Sequence, residues 1–219
     1  VINLDGAALA AVAAGAKADM TILSADLKTD TAADTLTVNF NATAGGVVVA
    51  DFLPNATYET VTVTSSGTAA NRIIDISTAL NNLTVTGATE FAISGTGALT
   101  GVLDAGAFTG AFTATTGTTA ITVNGGTGVD TLTSGLLATG VTQTLNGGAG
   151  NDVLTAGQIV TTGNLVLNGD AGSDTINTAD MDGTAGGAVS TAVVNGGAGI
   201  DFITLDAVAT VVLADVQST

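Results

Sequence analysis

Four aspartates, Asp130, Asp152, Asp174 and Asp201, each close a glycine-rich turn. The turns read Gly125-Gly-Thr-Gly-Val-Asp130, Gly147-Gly-Ala-Gly-Asn-Asp152, Gly169-Asp-Ala-Gly-Ser-Asp174 and Gly196-Gly-Ala-Gly-Ile-Asp201. Glycine tolerates positive φ and has no Cβ, so backbone carbonyls in such turns can converge on one point beside the carboxylate. Carbonyl and carboxylate oxygens are hard donors, and a cage of about six to eight of them suits Ca2+. The chain has neither histidine nor cysteine, which argues against a zinc or copper centre. The same absence removes a Ser-His-Asp triad and an H-E-x-x-H zinc site. Glu59 and Glu90 are the only glutamates, and with 3% aromatic residues no sugar-binding cleft accompanies them. The expectation is a cation-binding, non-catalytic chain.

Each turn runs on into a short apolar stretch, giving four copies of G-G-x-G-x-D-x-U-x. This phrase resembles the calcium-binding repeats of the RTX family of secreted bacterial proteins. The resemblance implies that each ion lies between two successive turns, held by the carbonyls and the aspartate of both. Four turns then imply three Ca2+ sites: Asp130 with Asp152, Asp152 with Asp174, and Asp174 with Asp201. The backbone positions carried over are Gly125 and Thr127 in the first turn, Gly147, Gly148, Ala149 and Gly150 in the second, Gly169, Asp170, Ala171 and Gly172 in the third, and Gly197 and Gly199 in the fourth. The chain also departs from the family pattern. The usual run repeats every nine residues and lines both edges of a narrow roll, whereas here one motif falls in each coil, so one edge should carry metal. Asp170 replaces the second glycine and either adds a ligand or distorts its turn. Asp180 and Asp182, in Asp180-Met-Asp-Gly183, resemble part of a calcium loop, although a solvated bulge is the plainer reading.

Stacked carboxylates repel. Two of them about 5 Å apart cost roughly 3 kcal/mol at an effective dielectric of about 20, and three such contacts cost about 10. That is comparable to the whole stability of a domain, about 5 to 15 kcal/mol. Calcium is therefore expected to be required for folding.

The elements that position these turns follow from the same period. The aspartates are spaced 22, 22 and 27 residues apart, and Asn124, Asn146, Asn168 and Asn195 keep the same spacing. So do the apolar positions Leu132, Leu154, Ile176 and Ile203 after the turn and Val123, Leu145, Leu167 and Val194 before it. A coil of about 22 residues, stacked in register, places these residues in two aliphatic ladders with an aspartate ladder along one edge. The expected fold is all-β, a parallel β-solenoid of the β-helix or β-roll kind, with calcium-binding turns at one edge. Alternating or short apolar stretches predict earlier strands at 35–40, 47–52, 60–64, 73–76, 83–86, 91–93, 99–103, 111–113 and 121–123. Asp5 as N-cap and Lys17 in the last turn predict a helix over Gly6–Lys17. The organisation expected is a helix-plus-strand segment at 1–57, acting as a cap or inter-domain element, and a solenoid at 58–219 with the calcium coils at 121–206.

The bulk composition fits that picture. The chain of 219 residues is 46% hydrophobic, mostly small aliphatic side chains, with 30 glycines, which suits a thin repetitive core. Its formal net charge is −16, and no basic residue follows Arg72 although twelve acidic ones do. No basic groove is on offer to nucleic acid or to an anionic membrane surface. No apolar run reaches the roughly 18 residues of a membrane span. The chain starts at Val1, and Gly6–Lys17 lacks the basic flank of a signal peptide, so a fragment or processed product is expected. Cys-free, Thr- and Ala-rich strands joined to these motifs look like RTX-bearing bacterial surface-layer proteins. That resemblance implies type I secretion, a location on the bacterial cell surface, and self-assembly into a lattice or filament. Partners are then copies of the same chain and, through regions beyond this sequence, cell-surface polysaccharide. An adhesin stalk, or the non-catalytic RTX module of a secreted enzyme, is the alternative.

Overall fold

The computed structural model describes residues 2–5, 18–22, 35–42, 46, 48–54, 60–76, 79–158, 163–178, 181, 191–205 and 210–216. It is a parallel β-solenoid built from two sheets. The first sheet holds, in order, β1 (Ile2–Asp5), β3 (Thr35–Ala42), β5 (Thr60–Gly67), β7 (Leu80–Gly87), β9 (Leu99–Asp104), β11 (Ile121–Asn124), β13 (Thr142–Asn146), β15 (Asn164–Asn168), β17 (Thr191–Gly197) and β19 (Thr210–Val216). The second holds β2 (Ala18–Ile22), β4 (Val48–Pro54), β6 (Asn71–Asp75), β8 (Phe91–Ile93), β10 (Phe112–Thr115), β12 (Thr131–Thr133), β14 (Val153–Thr155), β16 (Thr175–Asn177) and β18 (Phe202–Thr204). Successive strands go to opposite sheets and each pairs in parallel with the strand two places on, so one coil adds one strand to each sheet.

The strands form because their side chains alternate. In β5 the residues Val61 and Val63 are fully buried while Thr60, Thr62 and Thr64 face outward, and the pattern recurs in β13, β15 and β17. β-Branched threonine suits the outer face of a pleated sheet, and Thr64 and Thr86 hydroxyls meet across β5 and β7 at 3.0 Å. The two predicted aliphatic ladders are present. Val123, Leu145, Leu167 and Val194 pair in register and are wholly buried. Leu132, Leu154 and Ile176 do the same in the other sheet, and Ile203 is partly covered. Each buried Leu, Ile or Val contributes about 1.5–3 kcal/mol of apolar transfer, so the ladders are a principal source of stability.

All nine strands predicted ahead of the first glycine turn correspond to β3 through β11, with ends displaced by up to three residues. The strands of the 1–57 segment belong to the same two sheets, β3 pairing with β5 and β4 with β6, so the ladders run on across residue 57. The predicted helix over Gly6–Lys17 lies outside the described residues; among those described there is no helix, and Asp5 ends β1. The coil length is not uniform. It is 22 residues from β11 to β15, but Thr35 pairs with Thr60 and Thr113 with Thr131.

Candidate metal centre

The glycine turns stand where β11, β13, β15 and β17 hand the chain to the second sheet, so all four aspartates occupy one corner. They form a continuous ladder. The Asp130 N–H donates to Asp152 Oδ1 at 2.8 Å, the Asp152 N–H to Asp174 Oδ1 at 2.8 Å, and the Asp174 N–H to Asp201 Oδ1 at 2.9 Å. At the lower end the Phe112 N–H donates to Asp130 Oδ1 at 2.8 Å. The carboxylates point inward rather than along a wet edge: Asp130, Asp152 and Asp174 are 0–1% exposed.

The second carboxylate oxygens differ. Asp130 Oδ2 accepts the Gly126 N–H of its own turn at 2.6 Å. Asp152 Oδ2 and Asp174 Oδ2 are buried with no hydrogen-bond partner. A buried carboxylate oxygen left unpaired costs about 1–3 kcal/mol or more, so these two atoms require an explanation. Each faces the first glycine of its turn. A Cβ placed on Gly147 would lie 2.6 Å from Asp152 Oδ2 and 2.7 Å from the carbonyl oxygen of Gly169 in the next coil. Around Gly169 the corresponding space is shared by Asp174 Oδ2 and the Gly196 carbonyl. Only glycine leaves these oxygen-lined cradles open.

Electrostatics follow from the burial. Removal from water raises the pKa of Asp130, Asp152 and Asp174, and for Asp152 the value reaches about 6, with Asp130, Asp174 and Asp170 as lesser like-charge contributors. Desolvation is the largest cause for each, opposed by the backbone N–H that sits on Oδ1, and mutual repulsion is smaller. The cost of stacking these carboxylates is thus mainly one of burial rather than of the mutual repulsion expected from their spacing.

The remaining candidate positions build the turn itself. Gly148, Gly150, Gly172, Gly197 and Gly199 have positive φ, and Asp170 stands in for the second glycine at φ 69°, a conformation aspartate tolerates better than most residues. Its Oδ2 accepts the Gly148 N–H at 3.3 Å. Ala149 bridges Ala171, and Ala171 bridges Ala198, so the last three turns stack backbone on backbone. Thr127 makes the same bond to the coil before, its N–H donating to the Phe108 carbonyl as the Ala149, Ala171 and Ala198 N–H groups donate to Gly126, Gly148 and Asp170, but it forms no bridge of the Ala149–Ala171 kind. Gly125 packs against the Gly147 carbonyl. Asp180 and Asp182 lie outside the described residues. Glu90 is exposed, and Glu59 is outside the described set. Among the described residues no three acidic side chains converge on a point, so a cation at this corner would take most of its oxygens from the backbone.

Three features went unread in the sequence. Gly196 belongs with Gly125, Gly147 and Gly169, and its place in the period was the signal. The asparagines that end β11, β13 and β15, already in register by their spacing, form a side-chain amide ladder, Asn168 to Asn146 at 2.7 Å and Asn146 to Asn124 at 2.8 Å, ending on Asp104 at 3.2 Å. At the end of the second-sheet strands, the hydroxyls of Thr96, Thr116 and Ser134 accept the N–H of Gly117, Gly135 and Gly157 in the coil above. Its only trace in the sequence is a Thr-Gly or Ser-Gly pair at each corner.

The fold class these features define is a parallel β-solenoid with an acidic, glycine-turned corner. No known family model, curated protein or solved structure matches the chain. The likeness to RTX repeats therefore rests on the four motifs and their stacking.

Proposed function

We propose that the chain is a structural, self-assembling bacterial surface protein, of surface-layer or extracellular-filament type, whose folding and assembly depend on Ca2+ bound between stacked glycine turns. The observation that carries this reading is the pair of buried, unpartnered oxygens, Asp152 Oδ2 and Asp174 Oδ2, each beside a carbonyl of the next coil. The donor set fits a hard cation: carboxylate and carbonyl oxygens, in a chain without histidine or cysteine. A bound Ca2+ would neutralise charge that burial alone leaves expensive. Extracellular modules bind Ca2+ at about 10⁻⁴ to 10⁻³ M, which leaves such a chain unliganded until it is exported. Type I secretion of an unfolded chain is consistent with that order of events.

Assembly draws support from the last coil. Ile200 and Phe202 are 75% and 66% exposed, Val212 and Leu213 in β19 are each 47% exposed, and among the described residues no strand pairs with the far edge of β18 or β19. Open sheet edges and large exposed apolar side chains are features that assemblies cover. We read the chain as non-catalytic, because its residues offer none of the usual nucleophile–base pairs. Electron microscopy of the purified chain tests the assembly: sheets or filaments at millimolar Ca2+ that dissolve in chelator are expected. A persistent monomer at that concentration would count against it.

A further inference from the structure

The four turns share one motif, and a motif count gives three between-turn sites. The geometry separates them. In the second and third turns the carboxylate Oδ2 is buried and unpartnered and shares its cradle with the first-glycine carbonyl of the next coil. In the first turn the same two oxygens, Asp130 Oδ2 and the Gly147 carbonyl, lie at the first glycine, but Oδ2 already accepts the Gly126 N–H at 2.6 Å while Oδ1 accepts the Phe112 N–H at 2.8 Å, so neither carboxylate oxygen is left without a donor. The backbone explains the difference. Neither Gly126 nor Gly128 has positive φ, whereas Gly148, Gly150, Asp170, Gly172, Gly197 and Gly199 do. The first turn stacks on residues 104–110, which carry no glycine motif, and Thr127 is tied to the Phe108 carbonyl there. The upper turns stack on turns of their own kind through Ala149, Ala171 and Ala198.

Resting on the calcium reading above, we infer that the described corner binds two divalent cations, one at Asp152 with the Gly169 carbonyl and one at Asp174 with the Gly196 carbonyl, and that Asp130 is a metal-free plug. Asp130 ends the ladder by satisfying both its oxygens with backbone N–H groups, which is how a carboxylate can be buried without a cation. Asp201 serves the Asp174 cradle from above, its turn supplying the Gly196 carbonyl while its Oδ1 holds the Asp174 N–H at 2.9 Å. Chemically, the two open cradles offer single carboxylates with carbonyls, a donor set for Ca2+ or a lanthanide.

The test is anomalous scattering from crystals of the full chain grown in Ca2+ and soaked in Tb3+, combined with titration calorimetry of the chain in solution. Two peaks at this corner are expected, beside Asp152 and Asp174, and Asp152→Asn and Asp174→Asn should each remove one. A peak bonded to Asp130 Oδ2, or three equivalent peaks, would overturn the inference and leave the calcium reading standing. No peak at any of the four turns, with no heat of binding, would overturn both. Since Asp130→Asn could disturb the Gly126 contact and with it the fold, the decision rests on the peak positions in the unsubstituted chain.

Discussion

The coils from β3 to β10 and those from β11 to β18 share one fold and are held in different ways. The earlier coils enclose large side chains. Phe40, Phe52, Phe91, Phe108 and Phe112 are all fully buried, with edge-to-face pairs at 5.5 Å for Phe40–Phe91 and 6.1 Å for Phe108–Phe112. The later coils bury no phenylalanine, and Phe202 lies on the surface. Their core is a file of Val, Leu and Ile, and their corner carries the acidic ladder. Among the described residues, the three buried side-chain oxygens without a partner, those of Asp152, Asp174 and Asn195, lie in this half. Aromatic burial can stabilise coils of varying length, since a large side chain tolerates irregular turns around it. A thin aliphatic core gains less per coil and needs its turns fixed, which glycine geometry and a cation would do together.

That contrast can be broken experimentally. The largest effect is expected from Phe91→Ala in the earlier half, about 3–5 kcal/mol of destabilisation in thermal melts, of similar size with and without Ca2+. A loss that vanished in Ca2+ would show that the halves are not separately held. Gly150→Ala should cost about 2–3 kcal/mol or more, because its φ is +138° and a Cβ would strike the Gly128 carbonyl. Asp152→Asn sharpens the comparison through its sign. At pH 7 without Ca2+ it replaces a buried charge by a neutral amide able to donate to the nearby Gly169 carbonyl, so the melting point should rise by the equivalent of about 1 kcal/mol. In Ca2+ the same variant should melt below the parent chain. A variant that tracked the parent in both buffers would refute a metal role for Asp152.

Acidity gives a fourth outcome. Burial raises the folded-state pKa of Asp130, Asp152 and Asp174 above the usual carboxylate value of 3.8, to about 6 for Asp152. The folded chain therefore holds more protons than the unfolded chain between about pH 4 and 6, and in chelator its stability should fall as pH rises through that window. Saturating Ca2+, which requires the ionised carboxylates, should reverse the slope. The smallest effect concerns Asn195, whose Oδ1 is buried without a partner where β19 presents Ala214 opposite it. Ala214→Asn should add about 0.5–1 kcal/mol by supplying a donor to Asn195 Oδ1.

The later half was legible in sequence because a period with fixed letters is also a register. Once Asp130, Asp152 and Asp174 stand 22 residues apart, Val123, Leu145 and Leu167 must stack. Before Ile121 the strands could be found from alternation, but their pairing could not, since coils turning around Phe108 or Phe52 vary in length without a marker. Two properties of the site were hidden. The inward aim of the carboxylates depends on the backbone N–H of the preceding coil, a long-range partner no local pattern reports. The pairing of both Asp130 oxygens in the first turn was hidden as well, because Gly126-Thr-Gly128 differs from Gly148-Ala-Gly150 by one side chain yet follows a different backbone path.

Hydrogen exchange read by mass spectrometry, with saturating Ca2+ and in chelator, tests the central claim most directly. Amides of the later ladders, around Leu145, Leu154, Leu167 and Ile176, should lose protection in chelator by several orders of magnitude, while those around Val63, Leu83 and Ile93 stay protected. Equal protection of the later coils with and without Ca2+ would contradict the account.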